Sequence, residues 1–475
     1  RRSAFSALPI WPPILTGPPN SRCPLHSWRS RASLFDRLAF ASPLYRQETA
    51  HIRLADFRSI RGTCGWAGKN GCTMNGEPGD RRWSAPGKLN LVPNVHGDRG
   101  APHAHAAEPC PSANPDGRRR KLLALTRYSR LAASTRQRLL LFVPELESAG
   151  FDVTVAPFFA DDHMRRLASG HRAGPGAVLR AIAGRLSSLS DVASHDLLWL
   201  QYEAFPFLPA WFERLLLARK VPFVVDYDDA IFHTYDLNAN PLVRRFLGRK
   251  LEPLARAAAA ITVGNAYLET WARRHNSEVH LFPTVVDTNQ YVGAERRSGG
   301  PPTVGWIGSP STWPYVAGIL PAIAPVLDRH GARFLAVGAG PAAEGLKRVE
   351  ARPWREEREA QDIAEMDIGI MPVPDTAWGR GKCGYKLIQY MASGRPAIAS
   401  PVGVNSQIIV EGETGFLAAD SSQWSARLEL LLSNPALCRR LGAAGQSRAA
   451  QHYSRAAVAP AFVSLLSRLA RSPRR

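Results

Sequence analysis

Residues 380–396 read Arg380-Gly381-Lys382-Cys383-Gly384-Tyr385-Lys386-Leu387-Ile388-Gln389-Tyr390-Met391-Ala392-Ser393-Gly394-Arg395-Pro396. A basic, glycine-punctuated loop runs into an amphipathic helix at 385–393. Gly394 stops that helix, and Pro396-Ala397-Ile398-Ala399 is apolar enough for a buried strand. Lys382 and Lys386 are four residues apart, so a helix beginning near Lys382 places both on one face at its N-terminus. Two cations there repel each other unless an anion lies between them, and a diphosphate would serve. Two solvated lysines on a surface helix are the bland alternative. Gln389 follows one turn on, and its amide can bind neighbouring hydroxyls.

Working outward, the same grammar recurs on both sides. Downstream of 302 it gives strands at 303–307, 333–337, 367–371 and 396–399, with helices at 316–330 and 385–393. Upstream it gives strands at 122–125, 151–156, 196–201, 221–226 and 259–263, with helices at 135–149, 209–220 and 242–257. Strands separated by helices imply βαβ units and parallel sheets. The stretch 284–302 lacks an apolar period and holds Asp287, Asn289, Gly293, Gly299 and Gly300, as a linker does. The expected architecture is α/β: two Rossmann-like doubly wound domains, 118–285 and 303–452, facing a cleft. A linker at 286–302 joins them, and 453–475 follows as a terminal segment.

Ligands of such sheets sit at strand C-terminal ends. Gly305-Trp306-Ile307-Gly308-Ser309-Pro310-Ser311 and Val337-Gly338-Ala339-Gly340-Pro341 are small-residue βα loops where backbone could approach an anion, and ordinary tight turns would look the same. Ser400-Pro401-Val402-Gly403-Val404-Asn405-Ser406 is a third such loop, whose amides could complete an anion cradle. Carboxylates cluster at strand ends as well: Glu203 after one strand and Asp226-Tyr227-Asp228-Asp229 after the next. Asp226 and Asp228 fit a DxD metal pair, while sugar-hydroxyl contacts or loop capping suit these Asp equally well. His233 follows in a loop.

The stretch 380–417, ending Val410-Glu411-Gly412-Glu413-Thr414-Gly415-Phe416-Leu417, resembles the donor half of GT-B glycosyltransferases of retaining family four, "group 1". Gln389-Tyr390-Met391-Ala392-Ser393-Gly394-Arg395-Pro396 matches the end of the family's Glu-x7-Glu helix. The resemblance covers about 120–470. It implies sugar transfer from a nucleotide-diphosphate sugar to an acceptor hydroxyl, with retention and without a metal or other cofactor. It also implies that the last helix, around 454–470, crosses back onto the first domain. Trp354 falls where the family contacts the nucleobase, and core packing would suit it equally.

There are departures: Gln389 and Gly381 stand at the family's two Glu positions, and the loop 309–313 lacks the family's Arg and Lys. Either no donor binds, or Lys382 and Lys386 supply that charge from the other side of the cleft, the reading favoured here. The expected donor set is Gly308, Ser309, Trp354, Lys382, Lys386, Gln389, Val404, Asn405 and Ser406, with Lys386, Lys382 and Asp228 catalytic. The first domain then faces a glycan, lipid-linked or small-molecule acceptor. Arg127, Ser129 and Arg130 form an open cationic loop there, and Glu203 and His233 lie beside it.

The whole chain holds 475 residues, with 60 Lys+Arg against 40 Asp+Glu, a formal charge of +20. Half of that excess lies in 1–120, where 18 basic residues meet 8 acidic ones. The segment 1–117 also carries 14 Pro, four of the six Cys and no apolar period, so disorder is expected. Its first Met is Met74, and its patternless Trp, Cys and His are what translated upstream sequence would show. Pro9, Pro12 and Pro13 break the only apolar start, so no secretory signal is legible. No uncharged run is long enough to span a bilayer, and the scattered Cys exclude a disulfide scaffold. A cytoplasmic protein is expected, peripheral at the inner membrane face at most. A nucleotide-sugar epimerase or hydrolase on the same fold, and a basic nucleic-acid-binding protein without a specific motif, are the alternatives.

Overall fold

Leu122–Leu125 and Leu197–Leu200 are uninterrupted apolar runs, and all eight residues are buried, as strands covered on both faces must be. They centre a six-stranded parallel sheet: β1 (Arg120–Tyr128), β2 (Phe151–Phe159), β3 (Leu197–Gln201), β4 (Phe223–Tyr227), β5 (Ala260–Val263) and β6 (Val279–Leu281), in the order β2-β1-β3-β4-β5-β6. A second parallel sheet comprises β7 (Thr303–Ile307), β8 (Arg333–Val337), β9 (Val349–Arg352), β10 (Ile368–Met371), β11 (Ala397–Ala399) and β12 (Gly415–Leu417). Its order, β12-β11-β10-β7-β8-β9, is the doubly wound order in which the chain reverses between β7 and β10. The α/β class with two Rossmann-like sheets is therefore observed. This computed structural model describes residues 118–168, 174–291 and 299–471, all within one compact unit. The disorder expected for 1–117 lies outside those residues, as does 292–298 of the linker.

Prolines cut several expected helices. The one at 135–149 is two, Ala133–Arg138 and Val143–Ser148, joined by a 3-10 turn at Leu140–Phe142, with Pro144 in the first turn of the second. That at 242–257 becomes Pro241–Leu247 and Glu252–Ala257, with Pro253 again in a first turn. The helix at 209–220 shortens to Glu213–Leu217, flanked by turns. The correction that matters most for the site is at Tyr385–Ala392: the helix starts at Tyr385, because Gly384 precedes it in the left-handed region at φ 67°. A Cβ there would sit 2.2 Å from the Ile408 side chain. Lys382 is therefore outside the helix, and the two lysines do not share a helical face.

The terminal helix Arg455–Ala470 lays Phe462, Leu466 and Leu469 against Leu122, Trp199 and Phe142 of the first lobe, with the Phe142 and Phe462 rings 4.6 Å apart. Ser454 caps it by accepting from Ala457 N, and a β-bridge from Ser454 to Val286 ties it to the linker.

Candidate functional site

The lobes meet where β4, β5 and the loop before Tyr385–Ala392 come together. A Cβ on Gly381 would lie 2.4 Å from the Ala230 Cβ, and one on Gly264 would lie 2.2 Å from Cys383 Sγ. Only glycine allows the two backbones this approach. Asn265, after β5, uses its Oδ1 to cap helix Ala266–Arg273 through Leu268 N. Its Nδ2 donates to the carbonyls of Gly381 at 2.9 Å and Lys382 at 3.1 Å. The basic loop is thus moored to the first lobe, and Cys383 joins that lobe's core.

This mooring brings the lysines to the Asp loop after β4. Lys382 and Lys386 both act on the half-buried Asp229, whose pKa burial raises and the two ammonium charges pull back. Asp229 thus lies within electrostatic range of both cations. The Lys386 stem crosses the β7 loop: a Cβ on Gly308 would be 2.8 Å from Lys386 Cε, and its ammonium stands 5.7 Å from the Trp306 ring centroid. Lys382 stands 5.9 Å from that of Trp378. Asp228, next to Asp229, accepts from the Tyr202 hydroxyl. Burial, then the charges of Asp229 and Asp226, push Asp228 up to about 7. Tyr202 is held at φ 64°, a strained conformation of the kind that collects at functional sites. Asp226 points elsewhere. It takes a bidentate pair from Arg138 at 2.9 and 2.6 Å and a bond from Thr262, which counts against a DxD pair with Asp228.

Beside the lysines, Glu359 gathers donors from the second lobe. Gln389 Nε2 reaches its Oε1 at 2.7 Å, and Trp354 Nε1 reaches its Oε2 at 2.8 Å. Tyr385 donates to the same carboxylate at 3.3 Å and accepts from Gln137 of the first lobe at 2.7 Å. The Arg136 guanidinium lies 4.9 Å above the Trp354 ring. Gln389 is buried, so its amide already serves Glu359 rather than standing open for hydroxyls. Of the third small-residue loop, Asn405 turns inward to Ser400 O and gives its N–H to Val402 O, Val404 packs in the core, and Ser406 is exposed. Gly308 gives its own N–H to Val337 O, and the exposed Ser309 pairs with Ser311 at 2.9 Å.

The acceptor-side residues fall into two groups. Arg127 is buried, 3.5 Å from Glu203, so the open cationic loop expected there needs correction. Glu203 is also enclosed, bonded by Tyr235 and paired with buried Lys250 at 2.7 Å. Both belong to an ionic core, which burial without pairing would not allow. His233 is engaged within its lobe by Asp236 and Tyr267, each at 2.8 Å. Ser129 is buried with its hydroxyl unpartnered. Exposed Arg130 reaches across to Glu356 at 2.8 Å. Sequence reasoning included Asp229 in the strand-end carboxylate cluster without giving it a role of its own, and passed over Tyr202, Glu359 and Asn265. Gly264-Asn265 directly after a strand was a readable cap signal, whereas Glu359 sits in a charged run, 355–359, that reads as surface.

Comparison with known proteins agrees with this fold. Residues 301–434 match the family model described as Glycosyl transferases group 1. EpsD of Bacillus subtilis (strain 168), named as a glycosyltransferase, is 37% identical over 90 residues, which cover 18% of this chain and 23% of that relative. The solved sucrose-phosphate synthase of Thermosynechococcus elongatus superposes with a TM-score of 0.58 at 16% identity, over 74% of this chain and 99% of that one. Anabaena HepE, solved with UDP and glucose, gives 0.55 at 14% identity, over 74% of this chain and all of that one. These two likenesses establish the fold. Residues 301–434 therefore carry a glycosyl transferases group 1 domain, and the chain has the two-lobed GT-B fold of these solved structures.

Proposed function

We propose that the protein transfers a sugar from a nucleotide-diphosphate sugar to an acceptor hydroxyl. The observation that carries this is the Lys386 stem lying across Gly308 of the β7 loop, with Lys382 and Lys386 both within electrostatic range of Asp229. A cationic pocket walled by glycine suits a diphosphate. The Lys386 and Lys382 ammonium groups would stabilise the charge that collects on the departing diphosphate as the anomeric C–O bond breaks. Asp228, titrating near neutrality, would hold the acceptor hydroxyl and receive its proton. Transfer is with retention and without a metal, following the family resemblance. Trp354 and the Gln389–Glu359 pair bind the nucleoside, with Arg136 moving off the Trp354 face to admit the base. Ser129 and Arg130 face the acceptor. The protein works in the cytoplasm. Among the described residues no helix is long and apolar enough to cross a membrane.

The test is incubation of each common nucleotide-sugar with and without sugar and lipid-linked acceptors. Free nucleoside diphosphate forming only when an acceptor is present supports transfer. Equal release without one would mark an epimerase or hydrolase instead.

A further inference from the structure

Between residues 201 and 250 every strongly exposed side chain of the first lobe is apolar or basic. Trp211, Leu215, Leu237, Leu242 and Phe246 account for five of the ten exposed large apolar side chains among the described residues. The strongly exposed charges there are Arg214, Arg219, Lys220, Arg244, Arg245 and Arg249, of which Arg249 is paired with Glu252 at 2.8 Å, while the Asp236 side chain is 38% exposed at the margin. Helix Pro241–Leu247 shows the pattern most clearly. Leu247 is buried and Val243 half-buried against the core, while Leu242 and Phe246, also four apart, are 51% and 68% exposed on the neighbouring, outward-turned face. A helix that is apolar on the side away from its own core has an unmet partner.

The stretch around Trp211 and Leu215 adjoins this helix. Lys250, just beyond it, bonds the Phe205 carbonyl and lies 3.6 Å from Glu213. Leu216 and Leu247 also share one core cluster.

We propose that this face, built from 209–220 and 237–249, docks on an anionic membrane surface. Aromatic and aliphatic side chains entering the interface, interspersed with exposed Arg and Lys that outnumber the acids, are what a negatively charged bilayer attracts. A protein partner would have to match these cations and five apolar anchors together, whereas an anionic lipid surface does so without specific complementarity. The role of this docking in presenting a lipid-linked acceptor to the cleft rests on the transferase reading; the docking itself does not.

The experiment is co-sedimentation of the full chain with vesicles of phosphatidylcholine alone and of phosphatidylcholine with phosphatidylglycerol, at low and high salt. The wild type should bind the phosphatidylglycerol vesicles, less at high salt. The double variant Leu242→Asp/Phe246→Asp should lose about tenfold or more in partitioning, the order expected for two lost apolar anchors. Arg214→Glu/Arg245→Glu should lose binding similarly, and both should melt near the wild-type temperature because the altered side chains are exposed. Unchanged binding by both variants would overturn the proposal and move the attraction to the basic 1–117 segment. Equal binding to neutral vesicles, or no wild-type binding, would overturn it as well. So would a dimer in sedimentation velocity that Phe246→Asp dissolves while vesicles are ignored. Nucleoside diphosphate affinity, measured on the same variants, should not move, so failure of docking is distinguishable from failure of the transferase reading.

Discussion

The side-chain amide of Asn265 reaches from the first lobe to the main chain of Lys382 in the second, donating to its carbonyl at 3.1 Å and to that of Gly381 at 2.9 Å. One residue therefore both caps a helix of one lobe and fixes the cationic loop of the other. Through that loop, the lysines meet the Asp228–Asp229 turn without sharing a helix.

Asn265→Ala removes the cap and leaves the buried carbonyl of Gly381 and the part-buried one of Lys382 short of a donor. The expected cost is roughly 2–3 kcal/mol of stability. It should appear in urea unfolding as an earlier lobe transition, with donor affinity weakened in step. Wild-type stability in this variant would show that the mooring is incidental.

Gly381→Ala probes the same seam by steric force. The new methyl would lie 2.4 Å from Ala230 Cβ, against side chain and backbone that cannot simply swing away. The lobes should be prised apart, which small-angle scattering would read as a larger radius of gyration. KM for the donor should rise more than kcat falls. An unchanged radius would mean that the loop yields instead of the lobes.

Asp228 carries a pH signature whose sign can be worked out. Its folded pKa is about 7 against an ordinary 3.8, so the native state binds the proton more tightly between those values. Its contribution to stability is thus fully present below about pH 4 and is lost as pH rises towards 7. Asp228→Asn should flatten that decline and stabilise the protein at pH 8 in thermal melts. In the wild type, kcat/KM should rise with pH through a limb near 7, and the Asn variant should lose about 100-fold or more in kcat. A pH-rate profile without that limb would remove Asp228 from proton transfer.

The fold was legible because its signal is periodic. Runs such as Leu122–Leu125 and Thr303–Ile307 are bounded by glycine and polar turns, and parallel sheets bury such runs on both faces. Helix ends were less legible where proline allowed a restart, as at Pro144 and Pro253. The lysine loop and Gly308 could be picked out because glycine and charge sit together in sequence. Glu203 and Arg127 were misplaced because a carboxylate at a strand end looks the same in sequence whether it opens to a cleft or is sealed by Tyr235 and Lys250. Asn265 and Glu359 act across long sequence separations, and a linear reading does not show such partners.

The account depends on the Lys386 ammonium as the principal contact for the donor's diphosphate. Isothermal titration of UDP, GDP, ADP and CDP into the wild type and Lys386→Ala tests this directly. The wild type should bind at least one of them, and the variant should bind it about 1.5–3 kcal/mol more weakly while melting at a similar temperature. Equal affinity in the two proteins would contradict the placement of the diphosphate beside Lys386.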